Sequence, residues 1–274
     1  MNLFSTFAVR SRWTSKLLAQ RLLNWQGRRD FFKAFYARKR MSDRMLQIQL
    51  PQGTVFINGL TAVIDLRTFA QVFLDEIYGG LSFRDRVVID VGAHKGYFAA
   101  YALLKGAKAT VCYEPEDSNF KALALFSQTI RSDGRVIEIH HEAIGSDGEM
   151  DLYVSADSWA HTTVCRQDFI FSKVVRVSSR SLATALSNAR ERFSEDDFIL
   201  KIDAEGVESA ALLRTPPELF SRVGEIIFEF HSFSGLPLQG VLDRMNSIGF
   251  ECVGFVKEAD LYQLRRQILA QGEA

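Results

Sequence analysis

The stretch VVIDVGAHKGYFAAYALL, beginning at Val87, constrains the fold more than any other part of this chain. Its first residues form an apolar, β-branched run without polar alternation, the pattern of a strand buried on both faces. The run passes directly into an alanine- and aromatic-rich helical segment, and the join contains Gly92 and Gly96. Gly92 allows a tight turn with close approach of a ligand, and Gly96 lets the start of the helix pack near the strand. A buried strand feeding a helix through a glycine loop opens a strand–helix–strand unit, and such sheets bind ligands at the carboxyl ends of their strands.

The same alternation continues from about residue 86. It predicts strands near 86–91, 108–113, 135–140, 198–203 and 225–230. Helices are expected near 97–105, ended by Gly106; 118–130, with Ser118 as N-cap; 181–193; 205–214; and 237–248, ended by Gly249. The interval 145–180 interrupts this order. A Ser146-Asp147-Gly148 turn, alternating Met150, Leu152 and Val154, and later Val174, Val175 and Val177 predict an inserted antiparallel pair. Two short apolar runs, 251–256 and 260–266, predict a closing edge hairpin. The expected architecture is an α/β domain over 51–274 behind a basic, helical N-terminal extension over 1–50.

That extension contains Arg10, Arg12, Lys16, Arg21, Arg28 and Arg29 with no acidic residue before Asp30, interleaved with Trp13, Trp25, Phe31, Phe32, Phe35 and Tyr36. It reads as an accessory helical layer with solvated charges; the sharper reading is peripheral contact with an anionic membrane or a protein partner. In a eukaryote the same composition would suit an organelle presequence. Over the whole chain Lys plus Arg and Asp plus Glu are 33 each, so no global field draws it to nucleic acid, and none is expected as a partner. Three scattered cysteines, Cys112, Cys165 and Cys252, suggest neither disulfides nor a zinc site. With no apolar run long enough to span a bilayer, the expected compartment is cytoplasmic.

The strand tips carry the chemistry. The second strand ends in VCYEPED, which places Glu114 where a carboxylate can accept hydrogen bonds from both hydroxyls of a ribose. Such a residue suits NAD or S-adenosylmethionine, and the loop discriminates between them. A dinucleotide fingerprint needs glycine where Asp90 stands, and a carboxylate there opposes a pyrophosphate but favours a ligand bearing an ammonium and a sulfonium. Asp90, Gly92, Ala93, Lys95 and Gly96 are therefore the expected loop contacts, with Lys95 meeting the carboxylate of the cofactor's methionine end. Glu142 and Ala143, closing the third strand, are expected beside the adenine.

DFILKIDAEGVE, from Asp197 to Glu208, places Lys201 and Asp203 on one side of the fourth strand near its carboxyl end. Both are candidate catalytic residues. Glu205 and Glu208 are expected in the following helical turn, where the helix dipole favours them. The fifth strand, GEIIFEFH, brings Glu229 and His231 to its tip. His231 is the candidate general base, since an unperturbed imidazole titrates near ~6.5. Asp203, Glu229 and His231 together are candidate ligands for a divalent cation. His161, Thr162 and Thr163 in the insertion are expected to form a substrate lid.

In the order VVIDVGAHKGYF, YEPEDSNFKAL, EAIGSDGEMDLYVS, LKIDAEGVESAAL and EIIFEFH, the chain strongly resembles the FkbM family of methyltransferases over roughly residues 54 to 265. The resemblance implies the class I methyltransferase fold, a Rossmann-like, seven-stranded, mostly parallel sheet with helices on both faces. It also implies S-adenosylmethionine as cofactor and a hydroxyl acceptor on a sugar, glycan or other natural-product scaffold. Residue by residue, Asp90, Gly92 and Gly96 match the family's cofactor loop, Glu114 its ribose carboxylate, and Asp203, Glu205, Gly206 and Glu208 its I-D-x-E-G-x-E signature. SWAHTT and SSRSL depart from the family pattern near the expected acceptor pocket. Methylation of nucleic-acid bases is disfavoured, because DAEG stands where amino methylases have an N-P-P-Y type sequence. The alternatives are an NAD-dependent oxidoreductase, opposed by Asp90, and a non-catalytic cofactor-binding scaffold.

Overall fold

The computed structural model describes residue 16 and residues 23–37, 45–130, 135–165 and 169–267. Arg10, Arg12, Trp13 and Arg21 of the basic segment lie outside the described residues. The described chain opens with helix α1 (Trp25–Ala37), a hairpin of β1 (Met45–Gln49) and β2 (Thr54–Asn58), and helix α2 (Ala62–Phe73). The alternating region follows as β3 (Val87–Val91), α3 (Tyr97–Leu104), β4 (Ala109–Tyr113), α4 (Asp117–Thr129) and β5 (Val136–His140). After the insertion β6 (Ala143–Ile144), β7 (Gly148–Val154) and β8 (Lys173–Arg180) come α5 (Leu182–Arg192), β9 (Phe198–Ile202), α6 (Glu208–Arg214), β10 (Val223–Glu229), α7 (Leu238–Ser247), β11 (Phe250–Val256) and β12 (Leu261–Arg266).

These strands form a seven-stranded sheet in the order β11-β12-β10-β9-β3-β4-β5. Neighbours from β10 to β5 pair in parallel, and β12 runs antiparallel between β10 and β11. The fold is therefore the class I methyltransferase architecture that the sequence predicts. Alternate residues of one strand serve the two faces: Val88 joins a core with α1, α2, α3 and α4, whereas Val87, Ile89 and Val91 join a core with α5, α6 and α7. Because both faces are covered, the five residues of β3 are all buried, which explains the unbroken apolar run. The chain leaves β3 toward β4 on one side and returns through β9 on the other. That reversal of strand order opens a crevice at the carboxyl ends of β3 and β9.

The insertion contains the expected antiparallel pair, β7 with β8, and gains a third strand because β6 pairs in parallel with β8. Three local expectations change. Helix α4 is capped by Glu116, whose side chain accepts from the Asn119 N–H, rather than by Ser118. Helix α6 begins at Glu208 and not at 205, because Glu205 and Gly206 adopt positive φ values of 56° and 111°, which no right-handed helix can contain. The N-terminal boundary at residue 50 also moves. Residues 45–49 form a strand whose register with β2 runs across that position. Within α1, Phe31, Ala34 and Phe35 are buried in the same core as α3, so this helix is a structural layer of the domain. No helix among the described residues is long and apolar enough to cross a membrane.

Candidate cofactor and acceptor site

A cavity of about 230 Å³ opens at the carboxyl ends of β3, β4 and β9, where Gly92, Glu114 and Asp203 contribute to its walls. Gly92 has φ +74°, and a methyl group at this position would overlap the Asp203 carbonyl oxygen. The tight approach of the loop to the end of β9 is what demands glycine here. Gly96, at φ +84°, heads α3, and a Cβ there would come within 2.8 Å of Phe126 and 2.9 Å of Leu123 on α4. Its constraint is helix packing.

Asp90 is fully buried and sits directly opposite Lys201 in the β3–β9 register. The Lys201 ammonium lies 3.1 Å from the Asp90 carboxylate and 3.8 Å from Asp203. It also donates to the carbonyls of Gly92, at 2.7 Å, and Val91, at 3.2 Å. Burial opposes the charge on Lys201, but Asp90 and Asp203 outweigh it and raise the ammonium's pKa. Both residues thus act behind the loop. Neither lines the cavity, and the amine of Lys201, expected among the catalytic groups, is turned toward the loop carbonyls.

Glu114 does face the cavity. One of its oxygens accepts from the His94 N–H at 2.8 Å and the other from the Glu116 N–H at 2.9 Å. Burial pushes its pKa up to about 7 against those two donors. Each oxygen retains a second lone pair, the requirement for gripping a diol. Ala143 and Ile144 supply apolar lining. Around them, His94 Nδ1, Asn119 Oδ1 and Thr163 Oγ1 are buried polar atoms without a hydrogen-bond partner among the described residues. Buried polar atoms normally find partners, so three orphans in one cavity fit a bound polar molecule such as a nucleoside.

Two expected cofactor contacts are directed elsewhere. Lys95 is 1% exposed, and its ammonium lies 2.6 Å from Asp65 and 2.8 Å from Thr61 Oγ1, so it ties the loop to α2 and leaves the cavity. Glu142 is clasped by the Arg180 guanidinium at 2.7 and 2.9 Å, whereas its neighbour Ala143 remains in the lining. A planar fork beside a carboxylate satisfies the hydrogen-bonding capacity of both groups. Ala93 is buried next to the loop glycine and lies outside the cavity lining.

The far end of the cavity is acidic, with Asp203, Glu205, Glu229 and Glu258 among its lining. His231 stands behind this wall. Its Nε2 lies 3.4 Å from Glu205 and 3.6 Å from Glu229, and its Nδ1 lies 3.2 Å from Glu208. Burial disfavours the imidazolium, but Glu205 and Glu208 overcome it and raise the pKa to about 11. These neighbours favour the imidazolium over the neutral imidazole that the expected general base requires. Burial and the nearby Asp203 push Glu229 up to about 9. The metal-type grouping also differs from expectation: ligand atoms of Asp203, Glu205 and His231 lie within 4.8 Å of one another, with Glu205 in the place assigned to Glu229.

From the insertion, His161 and Thr163 contribute to the cavity lining. Thr162 instead donates to the Glu205 carbonyl, joining the insertion to the turn after β9. No sequence signal marks Arg67, Thr68, Gln71 and Tyr78, which line the cavity from α2 and the segment after it. His94 was also missed, and its place between the two loop glycines was the available clue.

Residues 90–252 match the methyltransferase FkbM domain. Among solved structures, the magnesium protoporphyrin IX methyltransferase of Synechocystis PCC 6803 is 12% identical, covering 92% of this chain and 97% of its own, with a TM-score of 0.38. Fibrillarin from Aeropyrum pernix, solved with S-adenosyl-L-methionine, is 11% identical, covering 68% and 69%, with a TM-score of 0.39. No curated protein matches the chain.

Proposed function

Since the chain belongs to the FkbM methyltransferase family and is an S-adenosylmethionine-dependent methyltransferase, we propose that it methylates a hydroxyl oxygen of a sugar, glycan or other polyhydroxylated small molecule. The supporting observation is the lining of the cavity, which contains the carboxyl groups of Asp203, Glu205 and Glu229 and the half-exposed Trp159. Carboxylates accept hydrogen bonds from hydroxyls, and an indole offers an apolar face to a sugar ring. An acidic lining offers little attraction to a phosphodiester, which argues against nucleic acid as acceptor. The family assignment leaves no place for the oxidoreductase alternative.

In this reading Glu114 grips the ribose, Ala143 and Ile144 flank the base, and Lys201 holds the loop through the Val91 and Gly92 carbonyls. S-adenosylmethionine supplies an electrophilic methyl carbon with a neutral leaving group. The protein's share is to hold the acceptor oxygen in line with that carbon, a contribution of roughly 7–11 kcal/mol to lowering the barrier. Removing the hydroxyl proton adds about 10²–10⁴-fold, and Asp203 is the cavity-lining group assigned to it.

The test is transfer of labelled methyl to a panel of sugars, oligosaccharides, alcohols, amines and RNA, with the product's linkage read by NMR. O-methyl products that fall by about 10²-fold or more in Asp203→Asn support the proposal. Label confined to amines or RNA overturns it, and cofactor binding without transfer to any acceptor returns the scaffold alternative.

A further inference from the structure

We propose that Asp203, Glu205 and His231 form a divalent transition-metal site at the acceptor end of the cavity. The role of the ion rests on the hydroxyl-transfer reading above; its binding does not. Ligand atoms from the three residues lie within 4.8 Å of one another. They come from neighbouring strand ends, Asp203 directly after β9 and His231 just beyond β10, which are paired in parallel. A site built on adjacent strand tips inherits the rigidity of the sheet.

The turn after β9 is shaped to complete this group. Glu205 holds φ +56°, an uncommon conformation for a residue with a side chain, and Gly206 follows at +111°. Unfavourable backbone of this kind persists where surrounding contacts fix it, and it clusters at ligand sites. Here the fixing contact is Glu208, 1% exposed, which accepts from the Ala204 N–H at 2.8 Å and the Gly206 N–H at 2.9 Å. The turn brings a Glu205 oxygen to 3.4 Å from His231 Nε2.

Glu208 also stands 3.2 Å from His231 Nδ1, although that nitrogen makes no aligned hydrogen bond. A carboxylate behind one ring nitrogen is the usual support of a metal-bound histidine, because it fixes the tautomer that offers the other nitrogen's lone pair. Nε2 faces the Glu205 and Glu229 oxygens, 3.4 and 3.6 Å away. A divalent cation that displaces the Nε2 proton would take its place between the imidazole nitrogen and these oxygens. Four carboxylates, Asp203, Glu205, Glu208 and Glu229, surround this one imidazole. The neighbouring cation, Lys201, is already engaged by Asp90 and two loop carbonyls.

One imidazole nitrogen with two carboxylate oxygens suits Mn²⁺ or Zn²⁺ better than Ca²⁺, which prefers an all-oxygen shell. Because Asp203 and Glu205 line the cavity, the ion's remaining positions face the acceptor. A bound hydroxyl would become more acidic there, and its proton would pass to the Asp203 oxygen that does not hold the ion.

The full-length protein, stripped with a chelator, is titrated with Mn²⁺ followed by electron paramagnetic resonance and with Zn²⁺ by calorimetry. One ion per chain is expected, with affinity falling at least about tenfold in Glu205→Gln and in His231→Gln. S-adenosylhomocysteine affinity measured on the same samples confirms that each variant is folded and reports the methyltransferase reading separately. Absence of binding in wild-type protein, or binding retained in both variants, overturns the metal site and identifies His231 as a buried imidazolium. Ion binding without S-adenosylhomocysteine binding would leave the site standing and sink the transferase role.

Discussion

Glu114 is poised so that its ionisation governs its proposed task. Burial keeps its proton until about pH 7, while the His94 and Glu116 N–H groups favour the charged form. Only the ionised carboxylate accepts from both ribose hydroxyls without a proton in the way. Cofactor affinity should therefore be at its plateau above about pH 7 and fall by up to tenfold per unit below it, because protonation must then be reversed on binding. Calorimetric titration with S-adenosylhomocysteine between about pH 5.5 and 8.5 measures this, and Glu114→Gln should bind more weakly with a flat profile. The identity of this residue was legible in VCYEPED, since a carboxylate at a strand tip advertises itself. Asp90 was legible only in part. The sequence marks a carboxylate unsuited to pyrophosphate, but its pairing with Lys201 depends on β3 and β9 lying side by side, although 110 residues separate Lys201 from the Val91 carbonyl it binds.

Helix α2 and the cofactor loop are joined by one buried ion pair, Lys95 with Asp65, at 1% and 0% exposure. Asp65 also accepts from the Asn58 N–H and the Thr61 hydroxyl, so the pair anchors the end of β2 as well. Lys95→Met should strand Asp65 without its charge partner and destabilise the fold by about 3–5 kcal/mol. For a chain of this size that lowers the thermal midpoint by roughly 10 °C. The double change Lys95→Met with Asp65→Leu should recover much of the loss, because two apolar groups need no partner; differential scanning calorimetry decides it. The lysine could be seen in the sequence beside Gly96, and its partner could not. Nothing in the local pattern around residues 58–65 distinguishes a buried aspartate from a solvated one. Element types fared better than their ends. Alternating apolar periods set the central strands, whereas the start of α6 depends on Glu208 folding back onto the Ala204 and Gly206 amides.

The molecule as a whole combines a recognisable catalytic half with a wall of its own. Residues 90–252 match the family domain, but Arg67, Thr68 and Gln71 on α2 line the same cavity from outside that span. Tyr78, in the segment after α2, lies near enough to feel the charges of Asp203 and Glu229. Arg67→Ala and Gln71→Ala should therefore raise KM for the acceptor by about tenfold while leaving S-adenosylhomocysteine affinity unchanged, a split that steady-state kinetics and calorimetry resolve. A rise in both constants would instead assign α2 to the cofactor.

By itself the sequence determined the α/β class, the central strands, the glycine loop and the acidic strand tips, since each follows from local hydrophobic period or backbone need. Only the tertiary structure decided which charges reach the cavity. Lys95, Glu142 and Lys201 were each consistent with a ligand role until Asp65, Arg180 and Asp90 claimed them. His231 reads as a base from its strand tip, whereas its acidic neighbours in the fold favour the imidazolium. A buried charge takes the partner that packing brings within a few ångströms, and that partner is set by long-range contacts a single strand tip does not encode.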